Sequence, residues 1–123
     1  MALVNDLLNL LHDCKIINNV RVLNHDETPS GKIELKIRCS LIQAYQLQIW
    51  LHHEFDFQDY SYQLFTDHPI LRWDNAPHYP FISSAPHHFH NEQNQVDESP
   101  LTGEVLKDLL YILDEIEKFL SYV

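Results

Sequence analysis

The sequence predicts an α+β fold, a single antiparallel sheet of about five strands with an N-terminal and a C-terminal helix packed on one face. Three observations predict it. Apolar and polar residues alternate through most of the stretch from Ile16 to Trp73. Both ends of the chain carry apolar residues at helical spacing. The one long proline-rich stretch falls between the last strand and the last helix, where it interrupts no element.

The opening MALVNDLLNLLHDC places Leu3, Leu7, Leu10 and Leu11 on one side, with Asn5, Asn9 and Asp13 interleaved. KIINNVRVLNHDE and KIELKIRCSLI are two strands of a hairpin around the turn TPSG. In the second of these, Ile33, Leu35, Ile37 and Cys39 alternate with Glu34, Lys36 and Arg38, as in a sheet with one wet face. YQLQIWLHHEF and DYSYQLFT continue the pattern, and ILRW forms a fifth strand that stops at DNAP, where Asp74 or Asn75 can bond the backbone ahead of Pro77. Pro77, Pro80, Pro86 and Pro100 leave room for one edge strand around SSAPHHFH. The last helix presents Leu106, Leu109, Leu113, Ile116 and Leu120, widened by Leu110 and Ile112, and Ser99 before Pro100 is the expected start.

The chain has 123 residues, 45% of them hydrophobic, which fits one domain over 1–123. Eighteen Asp and Glu against eight Lys and Arg give a formal charge of -10. That balance argues against a protein that holds nucleic acid by many nonspecific phosphate contacts, and it suits solubility or a basic partner. With no long apolar run, a cytoplasmic protein without a membrane partner is expected. Cys14 and Cys39 lack CxxC spacing and are expected as buried free thiols. The oligomeric state is not legible, and a homodimer is compatible with the sequence.

The segment RWDNAPHYPFISSAPHHFH, residues 72–90, concentrates the chemistry. Imidazoles exchange protons near neutral pH, and a pair supplies one base and one acid, as cleavage of a phosphodiester at a ribose 2′-hydroxyl requires. Arg72 is the fixed cation of the stretch, and Asp74 faces the same way if the strand continues, where it can pair with Arg72 or orient an imidazole. On an extended segment His88 and His90 share one face and His87 the other. The same residues also read as a metal site, with His88 and His90 completed by His78 and Asp74, although no HExxH or Cys-His zinc pattern is present. Trp73, Tyr79, Phe81 and Phe89 are expected to anchor the loop on the sheet. His52 and His53 form a second, weaker pair at a strand end.

RWDNAPHYP followed by PHHFH resembles the signature of the TumE-like toxins of prokaryotic toxin–antitoxin pairs, which typically read DNAPHHP and then FPHHxH. YQLQIWLHHEF and DYSYQLF lie where that family has its tyrosine-rich strands, so the likeness covers most of the chain after about residue 17. The resemblance implies a growth-inhibiting toxin neutralised by a small antitoxin encoded beside it, with cleavage of RNA as the supposed activity. The matching positions are Arg72, Asp74, Asn75, His78, His87, His88 and His90. Tyr79 stands where the family usually has the second His, and Phe89 where a Lys or other polar residue is common.

The resulting expectation is an endoribonuclease with Arg72, Asp74, His78, His88 and His90 in its site. One imidazole of the His88/His90 pair takes the 2′-hydroxyl proton, the other protonates the leaving 5′-oxygen, Arg72 holds the charge on phosphorus, and Asp74 orients Arg72 or His78. This reading needs no cofactor. Its expected partners are RNA and a basic or helix-turn-helix antitoxin that meets the acids of DEIEK and NEQNQVDES. Two alternatives remain open: a noncatalytic interaction protein or degenerate toxin, suggested by the charge of -10, Tyr79 and Phe89, and a hydrolase or nuclease that depends on a divalent metal.

Overall fold

The computed structural model describes residues 2–55 and 58–122. Helix α1 (Ala2–Asp13) leads into β1 (Ile17–Glu27), β2 (Ile33–Leu41), β3 (Gln46–His53), β4 (Gln58–Phe65), β5 (Pro69–Asp74), β6 (His88–His90) and β7 (Val96–Glu98), and helix α2 (Val105–Ser121) closes the chain. The strands form one sheet in the order β1-β2-β3-β4-β5-β6-β7, every neighbour antiparallel. This is the α+β fold expected, with seven strands in place of about five.

Period-two alternation puts Leu35, Ile37, Cys39, Leu47, Ile49, Leu51, Tyr60, Tyr62, Leu64, Leu71 and Trp73 on one face. They join Val4, Leu7 and Leu11 of α1 and Leu109, Ile112, Leu113 and Ile116 of α2 in one buried cluster. The opposite face of the sheet carries the polar partners of the alternation. Both cysteines are free, Cys39 buried and Cys14 partly so, and burial pushes the Cys39 thiol up to about 12. No helix among the described residues is long and apolar enough to cross a membrane.

Three expectations are corrected. Helix α2 starts at Val105 and not at Ser99, because the buried Asp108 carboxylate turns back to accept from the Thr102 and Gly103 amides (3.1 and 2.8 Å) and fixes the preceding turn outside the helix. Leu110 points to solvent, since 3.6-residue geometry turns it away from the stripe that Leu109 and Leu113 occupy. The polar stretch NEQNQVDES forms a hairpin: the Asn91 side chain accepts from the Gln93 and Gln95 amides (3.0 and 2.9 Å), and Asn94 takes a left-handed φ of 60°. This turn adds β7 beyond β6.

Candidate functional site

Asp74 ends β5 and is paired in register with His88 of β6, and Arg72 with His90. All four therefore project from the face opposite the helices. The Asp74 carboxylate is buried and fully used. Oδ2 accepts from Arg72 Nε at 2.7 Å. Oδ1 accepts from the Ala76 amide at 3.0 Å and stands 2.8 Å from His88 Nε2, with His90 Nε2 3.7 Å from Oδ2. Arg72 Nη1 also donates to Gln63 Oε1 (3.1 Å).

His88 is 1% exposed, and its other ring nitrogen, Nδ1, lies 3.0 Å from the Pro86 carbonyl oxygen. A carbonyl only accepts, so Nδ1 carries a proton, and Nε2 turns toward a carboxylate oxygen that is also an acceptor. Two arrangements satisfy that contact: an imidazolium that donates from both nitrogens, or a neutral ring whose Nε2 shares a cation with Asp74. An Nδ1–H held by a carbonyl is the outer hydrogen bond that orients metal-ligating histidines. One ligand atom each from Asp74, His88 and His90 lies within 4.8 Å of the others. The 2.8 and 3.7 Å separations bracket the roughly 3.4 Å between two ligands that each stand ~2.1 Å from one tetrahedral ion. The buried cluster can hold a divalent metal. Burial pushes the His90 imidazole below its ordinary range, with Asp74 opposing and His88 and Arg72 reinforcing the shift, which favours the neutral form that a ligand needs.

The expected residues are placed as follows. Arg72, Asp74, His88 and His90 come together, the last two with ring centroids 5.0 Å apart. His78 is exposed on the loop after β5 and packs beside Tyr79 (6.5 Å). Tyr79 covers the centre, 4.7 Å from His88 and 5.9 Å from His90. Access is left beside His90, where Gln63, Ile70, Arg72, Asn91 and Glu92 line a depression. Trp73 stacks on Phe89 at 4.9 Å on the helix side, so position 89 points away from the centre and its departure from the family pattern does not reach the site. Phe81, expected as an anchor, is 82% exposed; the loop turns on its own backbone bonds there, such as Ala85 N to the Ile82 carbonyl (2.9 Å). The His52 ring lies across from Asp59 and Glu34, outside this cluster.

Two other motif residues build the frame. Asn75 Oδ1 accepts from the Tyr60 amide (3.0 Å) and its Nδ2 donates to the Gln58 carbonyl (2.8 Å), so a side-chain amide continues the ladder after β5 ends. His87 faces the helix side, as period two requires, with Nδ1 2.6 Å from the Tyr60 hydroxyl. Sequence reasoning missed Gln63, which holds Arg72 from the next strand; its register with Arg72 would have identified it.

No curated protein and no solved structure matches the chain. A family model described as toxin TumE matches residues 7–120, from within α1 to the end of α2. The match spans the sheet and the whole histidine centre, so the chain belongs to the toxin TumE family.

Proposed function

We propose that this toxin cleaves RNA at the Asp74–His88–His90 centre, with a divalent cation held by those three side chains. The observation that carries the reading is His88, buried with Nδ1 on the Pro86 carbonyl and Nε2 facing the Asp74 carboxylate. A dry site of this kind with an imidazole and a carboxylate turned toward each other favours a cation between them. A bound ion would supply a nucleophilic water and charge stabilisation on the phosphate. Arg72, oriented by Asp74 and Gln63, meets a phosphate oxygen from the open side, its side chain 42% exposed. In this reading His88 is a ligand and not half of a proton-transferring pair, and the exposed His78 carries the proton to the leaving oxygen.

The test is metal analysis and calorimetry with zinc and manganese on the purified chain, beside cleavage of RNA with and without chelator. One ion per chain, lost in His88→Ala and His90→Ala, and activity abolished by chelator and restored by metal are expected. Growth inhibition should disappear in the same variants and survive in His12→Ala. Activity that persists in chelator would select a second reading, favoured by the Arg72–Asp74 ion pair (2.7 Å), which already balances the carboxylate. There His88 is an imidazolium that fixes Asp74, and His90 and His78 exchange the protons.

A further inference from the structure

The face of the sheet that the helices leave open is banded by charge. In register across six strands run Arg21, Arg38, Gln48, Gln63, Arg72 and His90. These three are the only arginines of a chain with net charge -10. Beside them runs a mixed row that includes Lys36, Trp50, Ser61, Asp74 and His88. The acids Asp26, Glu34 and Asp59 keep to the next row, at the hairpin end.

Arg21 and Arg38 are direct cross-strand partners, an arrangement of like charges that costs stability. Neither has a carboxylate within ion-pair distance among the described residues. Each is held by a neutral glutamine oxygen, Arg21 Nη2 by Gln46 (3.4 Å) and Arg38 Nε by Gln48 (3.2 Å). The Arg38 guanidinium also lies 5.7 Å above the Phe65 ring. The positive charge of Arg21 and Arg38 is thus concentrated and fixed in direction, and no acid among the described residues pairs with it, whereas Arg72 is paired with Asp74. A depression lies at each end of the row, one lined by Arg21, Arg38, Ser40 and Gln46, the other by Gln63, Arg72 and His90 at the candidate centre.

We propose that this arginine row is the track on which a single-stranded RNA backbone lies as it enters the centre, and that Trp50 stacks a base beside it. The inference rests on the cleavage reading above and names how its substrate is held. Five strand spacings of ~4.8 Å give the row a length of about 24 Å, room for several extended nucleotides. A sheet face with an accessible aromatic ring between cations suits unpaired bases, which stack on it without sequence preference. A phosphate placed between Arg21 and Arg38 also removes their repulsion, which no carboxylate among the described residues does.

The experiment measures binding of a 2′-O-methylated single-stranded oligoribonucleotide in chelator, so that neither chemistry consumes the probe, and cleavage of the matching unmodified RNA separately. The Arg21→Gln, Arg38→Gln double variant should bind about tenfold more weakly, and its log-affinity slope against log salt should fall by roughly 1.4, ~0.7 per single-strand phosphate contact. It should melt no lower than wild type, because a like-charge pair is gone. RNA should quench tryptophan emission, and Trp50→Ala should remove the quench, since Trp73 is buried. The helix-side control Lys107→Gln, Lys118→Gln should bind as wild type does. Unchanged binding by the arginine variant, with wild-type cleavage intact, overturns the track and leaves the cleavage reading standing. Arginine-dependent binding without cleavage keeps the track and overturns the cleavage reading. Wild-type protein that binds no RNA overturns the track. So does an arginine variant that holds RNA normally but loses the neighbour-encoded antitoxin, which would assign the row to that partner.

Discussion

Asp74 has more partners than any other side chain of the centre: a guanidinium and a backbone amide that donate to it, and the imidazoles of His88 and His90 that face it. Asp74→Asn keeps the shape, removes the charge that Arg72 and His88 face, and should destabilise the fold by about 2 kcal/mol while abolishing metal uptake. Urea unfolding and calorimetry check the two halves independently; full metal binding in the variant would remove Asp74 from the ligand set. Asn75→Ala should cost about 2 kcal/mol for a different reason, because the Tyr60 amide and the Gln58 carbonyl both lose their partner. If its stability is unchanged, the side-chain ladder carries no weight. At this scale the strand residues are legible in the sequence: once RWD and HFH are extended, period two alone turns Arg72, Asp74, His88 and His90 to one side and His87 to the other. His78 and Phe81 are not, because both sit in a loop whose path depends on tertiary contacts that no periodicity encodes.

The elements are legible where the alternation is strong and obscure where polar side chains do the structural work. β2 to β5 follow their apolar period closely, whereas β7 is short, polar and at the sheet edge, and only the Asn91 turn makes it a strand. The start of α2 is hidden for a related reason. Ser99 has the composition of a cap, but its hydroxyl accepts only from the Leu101 amide (3.2 Å), and the work at the helix entrance falls to Asp108, one turn inside. Gly103, with φ of 91°, completes that entrance; a Cβ there would collide with the Gln58 side-chain amide. Asp108→Ala would leave the Thr102 and Gly103 amides without their acceptor, the second of them in a buried position, at about 3 kcal/mol. Asp108→Asn, which still accepts, should cost roughly half as much. Urea unfolding compares the two: equal losses would show that the charge, which both variants remove, decides there and not the capacity to accept, and no loss in either would remove Asp108 from the helix entrance.

Across the whole molecule, net charge is legible in the sequence and its distribution is not. β1 departs from strict alternation by register shifts between Ile17 and Asn19 and between Val22 and Asn24, so only the folded pairing reveals that Arg21 lies opposite Arg38 on the open face. The distribution of histidines sets a second global property. Burial pushes His53 below its ordinary range, reinforced by His52, and pushes His87 down as well, with Asp108 opposing and His88 reinforcing. In the neutral tautomer with its proton on Nε2, His87 accepts from the Tyr60 hydroxyl through Nδ1; once protonated, that nitrogen becomes a donor and the contact must reorganise. With folded values lower than unfolded ones, the unfolded chain binds more protons as pH drops below about 6.5. The stabilisation from these two neutral rings is therefore complete above that pH and is lost as pH falls through the folded values. The melting temperature should decline from pH 7 toward pH 5. The double variant His53→Gln, His87→Asn, whose new amide at position 87 keeps an acceptor oxygen near the Tyr60 hydroxyl but cannot take up a proton, should show a shallower decline. A wild-type melting temperature that is flat over this range, or a variant with the full decline, would place the acid sensitivity in other groups.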